Sequence, residues 1–310
     1  MNKTMIRIII SALFSLLSVF AYSREEQKPE IQPDGTYLYA QRDSCELYMD
    51  VYDPAEGSET SFEGKEKPTI IFVFGGNFAD GKRDDKTYLP WFRTMTENGY
   101  RMIAIDYRLG LKEITTFGLG QANNLEDAIH IAMEDLFCAT GFIVENKDML
   151  GIDPENIVIC GSSAGAVTVL QAEYEICNNA CQTQNLPDGF RYKGVISFSG
   201  GILSRKGKLK YDEEPCPTLM FHGTEDNLVC YSKIRFFHLG FFGSEKIADR
   251  FKKSGYDYNI LRYLGRGHEI SGIMNETVRE QLDFIESNVM SKSGCIVDKV
   301  IDSNFSETDG

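Results

Sequence analysis

The sequence predicts an α/β protein built on one mostly parallel sheet with helices on both faces. Three observations carry that prediction. Predominantly apolar runs of strand length recur at 69–74, 101–106, 157–160, 194–198, 218–221 and 259–264. A parallel sheet is covered above and below, so its strands need such runs rather than alternation. Segments of helical periodicity separate the runs, which places helices between parallel neighbours. The 310 residues are 42% hydrophobic and 25% charged, enough apolar material for one large core.

Taken in order, residues 36–41 and 46–52 alternate as the two strands of an opening hairpin. The polar stretch 54–68, which holds Gly57 and Gly64, is a surface loop. The run at 69–74 (TIIFVF) is a buried strand, and 89–98 is a helix stopped by Gly99. After the strand at 101–106 comes the clearest helix, 122–145. Its Leu125, Ile129, Ala132, Leu136, Ala139 and Ile143 recur at steps of three and four and make one apolar face. A strand at 157–160 leads into a helix at 164–174. Strands follow at 194–198 and 218–221, then a largely helical stretch at 232–253 and a last strand at 259–264. Val278, Leu282, Ile285 and Val289 mark a final amphipathic helix. Residues 296–310 are polar and acidic and are expected to fray. No repeat, low-complexity tract or linker divides the chain.

The N-terminus reads as a targeting segment. Lys3 and Arg7 precede a short apolar stretch at 8–20, and Ala21-Tyr22-Ser23 is a small-x-small cleavage signal. The expected organisation is a signal peptide at 1–23, a catalytic domain at 24–290 and a polar C-terminal tail at 291–310. The expected location is secreted or periplasmic. No stable membrane insertion is expected after cleavage, because the apolar stretch is too short and interrupted to span a bilayer. In an oxidising compartment the eight cysteines can pair. Cys177 and Cys181 are spaced for a local bridge, whereas Cys160 sits in an apolar strand and reads as a free, buried small hydrophobe. A zinc site needs a second cysteine pair at ligand spacing, and none stands out. The net charge of −14 repels phosphate backbones, which excludes nucleic acid as a partner.

Gly161-Ser162-Ser163-Ala164-Gly165 fits G-x-S-x-G between an apolar strand (IVIC) and a helix-forming run (AVTVLQAEY). That is the strand–turn–helix of a nucleophile elbow. Ser163 is the candidate nucleophile, because a strained turn lifts its oxygen above the sheet. Gly161 and Gly165 let the backbone pack closely, and the helix N-terminus faces the developing oxyanion. Ser162 holds the variable position and reads as structural.

In such a site the chain order is Ser, acid, His. His130 precedes the nucleophile and His222 precedes the best acid. His238 lies in an aromatic, helix-like stretch. His268 lies in the flexible loop Gly265-Arg266-Gly267-His268-Glu269 after the last strand, which suits a proton shuttle. His268 is therefore the candidate base, ahead of His238. The acid comes from the loop after 218–221, where Asp226 leads and Glu225 is the adjacent alternative. The candidate oxyanion donors are the N–H groups of Ala164, Gly76 and Asn77. The latter two belong to the glycine-rich loop after the strand at 69–74. Phe236, Phe237, Phe241 and Phe242 follow the acid loop and read as packed helix core rather than as a lining for an aromatic acyl group.

Together, FGGNF at 74–78, DYRL at 106–109, GIDPENIVICGSSAG at 151–165, HGTEDNLV at 222–229 and GRGH at 265–268 resemble the α/β-hydrolase esterases related to carboxylesterases and hormone-sensitive-lipase-type enzymes. The motifs span most of the chain after residue 23, in the family's order. The resemblance implies an eight-stranded α/β-hydrolase fold without a large lid domain and no metal or organic cofactor. Phe74 stands where the family usually has the His of His-Gly-Gly, and Asn77 where the lipase motif has its third glycine. Secreted bacterial proteins of this type resemble acetylxylan and feruloyl esterases. The expected substrate is thus a small-molecule or carbohydrate ester with a short-chain or aromatic acyl group. A serine peptidase on the same fold and a catalytically inactive binding module are the competing readings.

Overall fold

The computed structural model describes residues 30–42, 45–112, 121–180 and 185–302. The chain divides into two units, 1–31 and 32–310, and all the described strands and helices belong to the second. The signal-peptide segment 1–23, Cys181 and residues 303–310 lie outside the described residues.

The opening hairpin is β1 (Gly35–Arg42) and β2 (Cys45–Tyr52), followed by the two-residue strands β3 (Ser61–Phe62) and β4 (Lys65–Glu66). Next come β5 (Thr69–Val73), α1 (Leu89–Glu97), β6 (Met102–Ile105), α2 (Gln121–Glu145) and α3 (Lys147–Leu150). The centre of the chain forms β7 (Ile157–Ser162), α4 (Ala164–Cys177), β8 (Gly194–Phe198), β9 (Gly201–Ser204) and β10 (Thr218–Gly223). The rest comprises β11 (Lys233–Phe236), β12 (Leu239–Gly243), α5 (Ser244–Ser254), β13 (Tyr258–Tyr263), α6 (Val278–Phe284) and β14 (Val297–Ile301).

Nine strands form the central sheet, in the order β1-β2-β6-β5-β7-β8-β10-β13-β14. β1, β2 and β6 run antiparallel to one another, and from β6 onward each pair is parallel. The apolar runs lie where burial is complete: every residue of β6 and β7 is buried, and Ile70, Ile71, Phe72 and Val73 of β5 have no exposed surface. Removing one such side chain from water contributes roughly 1.5–3 kcal/mol. The amphipathic face of α1 covers this centre. Phe72 meets Trp91 and Phe92 edge-on, at ring separations of 5.2 and 5.5 Å. Pro90 opens α1, where its missing N–H costs nothing.

β5 lies between β6 and β7. The chain leaves β5 toward one side and returns as β7 on the other, so the loops after these two strands diverge. In an open α/β sheet that divergence opens a crevice at the strands' carboxyl ends, and ligands bind there. The glycine-rich loop and Ser163 both lie at this point.

Four expectations are corrected. The resemblance implied eight strands and the composition implied that 296–310 frays; instead 297–301 adds β14 as a ninth strand beside β13. The strand escapes a pattern reading because it is an edge whose Val297 and Val300 stay exposed. It is held by backbone pairing and by Asp298, which takes two hydrogen bonds from Arg262. The stretch 232–253 is not largely helical. β11 and β12 form a hairpin there, and α5 begins only at Ser244. Phe237 turns the hairpin with φ 51°, and Gly240 and Gly243 interrupt any helix. β9 pairs with β12 to complete a separate three-stranded sheet. Phe241 and Phe242 therefore belong to a strand rather than to a helix core.

Candidate active site

Ser163 stands between β7 and α4 with φ 51° and ψ −115°. A side chain other than glycine's costs about 1–3 kcal/mol in that region, so the surroundings must enforce it. They do so through the Ser163 N–H, which donates to Phe198 O at 2.9 Å, and through its carbonyl, which accepts from Val167 N–H at 2.9 Å. The flanking glycines allow the closeness. A Cβ on Gly161 would collide with the Gly165 backbone, and one on Gly165 with the carbonyl oxygen of Val73.

The structure brings Ser163, His268 and Asp226 into series from three strand ends. His268 Nε2 lies 2.8 Å from Ser163 Oγ, and His268 Nδ1 lies 2.7 Å from Asp226 Oδ2. This geometry assigns the proton of the neutral ring to Nδ1, leaving Nε2 to accept from the serine hydroxyl. Asp226 Oδ1 accepts the N–H groups of Leu228 and Val229, both at 2.9 Å. Burial opposes charge on Asp226. Hydrogen bonds from His222, His268 and the Val229 N–H outweigh it and hold the carboxyl well below the usual carboxylate range. The adjacent Glu225 is tied down through its backbone N–H, which donates to Arg266 O at 2.9 Å. The alternative base His238 is exposed beside the β11–β12 turn.

The glycine-rich loop after β5 is braced from three directions. Phe74, the residue in the usual His position, stacks on Tyr107 at 4.4 Å, and the Tyr107 hydroxyl donates to Phe74 O at 3.1 Å. The Gly75 N–H donates to the Tyr88 hydroxyl at 3.2 Å. Arg83 binds Asp50 at 2.8 Å and Asp106 at 2.6 Å, fastening the far end of the loop to β2 and the end of β6. Within the turn, Ala79 and Asp80 donate to Gly76 O. Gly76 and Asn77 have φ of 129° and 56°, which turns successive amides away from the ordinary strand direction. Both residues line a depression that also holds Ser163.

Three contributors were not legible in the pattern. Ser162, which reads as structural, donates from Oγ to Ser271 O at 2.8 Å and so ties the elbow to the short 3₁₀ turn His268–Gly272. Tyr88 and Arg83 act on the glycine loop from beyond it. Only their tertiary contacts reveal those roles.

Two cavities meet at Ser163. One, of about 430 Å³, is lined by His268, Ser271, Asp80, Asp85, Thr87 and Tyr88 among others. The other, of about 540 Å³, is apolar and is lined by Phe78, Leu111, Leu125, Val167, Val229 and Phe241 among others. Leu228 borders both. Among the described residues, no group of three or more His, Cys, Asp or Glu is arranged to hold a metal ion, and no helix is long and apolar enough to cross a membrane.

Comparison with known proteins agrees with this architecture. The BD-FAE family matches residues 49–202. The propionate-bound structure of Est2, an esterase from Thermogutta terrifontis, superposes with a TM-score of 0.57 at 20% identity, covering 82% of this chain and 95% of that one. The likeness shows the fold of the α/β-hydrolases. Para-nitrobenzyl esterase of Bacillus subtilis is 26% identical to this chain over 43% of the chain's length and 25% of the relative's. The neuroligin-like protein glit-1 of Caenorhabditis elegans is 24% identical over 46% of the chain and 18% of the relative. The chain thus spans about a fifth to a quarter of the length of these curated relatives. Its fold is the α/β-hydrolase fold, with one strand beyond the expected eight.

Proposed function

We propose that the protein hydrolyses carboxylic esters through a Ser163–His268–Asp226 triad and an acyl-enzyme. The single observation that carries this reading is the unbroken series of 2.8 Å and 2.7 Å contacts from hydroxyl to imidazole to carboxylate. Ser163 Oγ attacks the ester carbonyl as its proton passes to His268 Nε2. Asp226 holds the ring's tautomer and stabilises the imidazolium. The N–H groups of Ala164, Gly76 and Asn77 receive the oxyanion. His268 then protonates the leaving alcohol. It next removes a proton from water, which attacks the acyl-serine, and returns that proton to Ser163 Oγ as the acid departs.

The position of His268 orients the substrate. The leaving oxygen must lie beside the imidazole that protonates it, so the alcohol portion occupies the polar cavity lined by His268. The acyl group then enters the apolar cavity beyond Ala164. Asp80, Asp85, Thr87 and Tyr88 offer hydrogen-bonding partners to a hydroxyl-rich alcohol. This arrangement supports an ester of a carbohydrate, or of a comparably polar alcohol, with a short-chain or aromatic acid. A serine peptidase would need an amide to sit in the same place, and an inactive binding module would need a break in the triad series.

The test is turnover of a panel comprising nitrophenyl acetate and butyrate, methyl ferulate, acetylated xylan and a peptide amide. Ester turnover is expected, with a fall of about 10⁶-fold for Ser163→Ala if the triad acts as a unit. Undiminished ester turnover by Ser163→Ala would refute the reading, and turnover of the peptide alone would favour the peptidase.

A further inference from the structure

We propose that His222 is a positioning residue for the triad, holding Asp226 in place through a buried series that ends on Ser244. The proposal rests on the triad reading above and extends it inward by two residues. His222 and Ser244 have no exposed surface, so every polar atom they carry must be satisfied inside the protein. His222 Nε2 lies 3.0 Å from Val229 O and 3.4 Å from Asp226 Oδ2. Both are acceptors, so Nε2 carries a proton. Nδ1 lies 2.7 Å from Ser244 Oγ, and in the neutral ring it accepts that hydroxyl's proton. Ser244 opens α5, so a helix from elsewhere in the chain fixes the tautomer of His222.

The consequence falls on the acid loop. Val229 is clamped twice: its N–H donates to Asp226 Oδ1 at 2.9 Å, and its carbonyl accepts from His222. Asp226 Oδ2 lies between two imidazoles, His268 at 2.7 Å and His222 at 3.4 Å. The carboxylate cannot rotate away from His268 without giving up a donor on either oxygen. A buried imidazole costs desolvation that an apolar ring of similar size would avoid, yet all its hydrogen bonds go to the acid loop and to Ser244. Val229 also lines the apolar cavity, so the same clamp sets one wall of the acyl site.

The test is steady-state kinetics on 4-nitrophenyl butyrate for His222→Ala, His222→Gln, Ser244→Ala and Asp226→Asn, and for each His222 and Ser244 change combined with Asp226→Asn. His222→Ala is expected to lower kcat by about 10–100-fold while KM stays within about twofold, and Gln, which keeps an N–H donor, to restore most of the loss. Ser244→Ala is expected to cost about 2–5-fold. On the Asp226→Asn background each further change is expected to cost less than about twofold, because its effect runs through the carboxylate. Wild-type kcat for His222→Ala, or the same loss with and without Asp226, would overturn the proposal. If His222→Ala does not fold, His222→Gln and Ser244→Ala decide by the same comparison. Unchanged turnover for Asp226→Asn would overturn the triad reading and this proposal together. A crippled Asp226→Asn beside harmless His222 and Ser244 variants would overturn this proposal alone.

Discussion

At the scale of single residues the site depends on backbones approaching where no side chain fits. Gly165 is the strictest case, because a Cβ there meets the carbonyl oxygens of Val73 and Phe74 on β5 and its exit. Those atoms belong to the central sheet and cannot retreat. Gly165→Ala is expected to destabilise the fold by about 3 kcal/mol or more and to abolish ester turnover. Gly272 closes the 3₁₀ turn that begins at His268, yet a Cβ on it meets nothing within 4 Å. Gly272→Ala is expected to change stability by no more than about 1 kcal/mol. Thermal unfolding of the two variants checks the contrast, and equal losses would contradict it. The same steric demand explains why the elbow is legible in the sequence: its glycines are fixed by contacts within five residues and by one neighbouring strand.

At the scale of elements α4 carries an electrostatic liability. Glu173 is almost fully buried. Its Oε1 accepts the Cys216 N–H at 2.9 Å and the Cys177 thiol at 3.3 Å, but its Oε2 has no partner. Burial pushes its carboxyl above the usual range, against the pull of those hydrogen bonds and of Arg191. A carboxyl whose folded pKa exceeds its unfolded value contributes fully at low pH and loses that contribution as pH rises through the interval between the two. Glu173→Gln, which carries no charge, is therefore expected to raise the melting temperature at pH 8 relative to the parent, with a smaller gain or none near pH 4. A gain that is the same at both pH values would contradict the assignment.

The elements also divide by how far sequence reaches them. β5, β6, β7, β8 and β10 are legible because complete burial writes a nearly continuous apolar run, and β13 because its first four residues are buried. The β11–β12 hairpin is not. Its Ile234 and Phe237 are exposed and its Phe242 is buried, so neither a two-residue nor a helical period stands out, and its strand state comes from pairing with β9. His222 reads in the sequence as the end of a strand standing ahead of the acid. Its partner Ser244 lies 22 residues away, and nothing local announces that contact.

At the scale of the whole molecule the sheet gathers three strand ends into one crevice, and its outermost strand supports one of them. β14 pairs along β13, and Ile301 O accepts the Leu264 N–H at 2.9 Å. That contact lies immediately before the loop that delivers His268. Asn288 Nδ2 donates to Cys295 O at 2.7 Å, and the Val297 N–H donates to Asn259 Oδ1 at 2.8 Å. Against these bonds stand the exposed Val297 and Val300, which bury little apolar surface, and the entropy of ordering the strand. Each hydrogen bond nets about 0.5–1.5 kcal/mol and the Arg262–Asp298 pair about 1 kcal/mol or less. Much of that gain is cancelled by ordering entropy, leaving a net contribution of about 1–3 kcal/mol. A chain ended after Cys295 is therefore expected to melt several degrees lower, at roughly 2–4 °C per kcal/mol for a domain of this size. Its kcat on nitrophenyl butyrate at 25 °C is expected to stay within about threefold of the parent, because His268 is held from the other side by Asp226 and by the Ser162–Ser271 tie. Melting curves and initial rates on the truncated protein measure both quantities. Loss of turnover without loss of stability would mean that the ninth strand positions the His268 loop directly rather than merely covering the edge of β13.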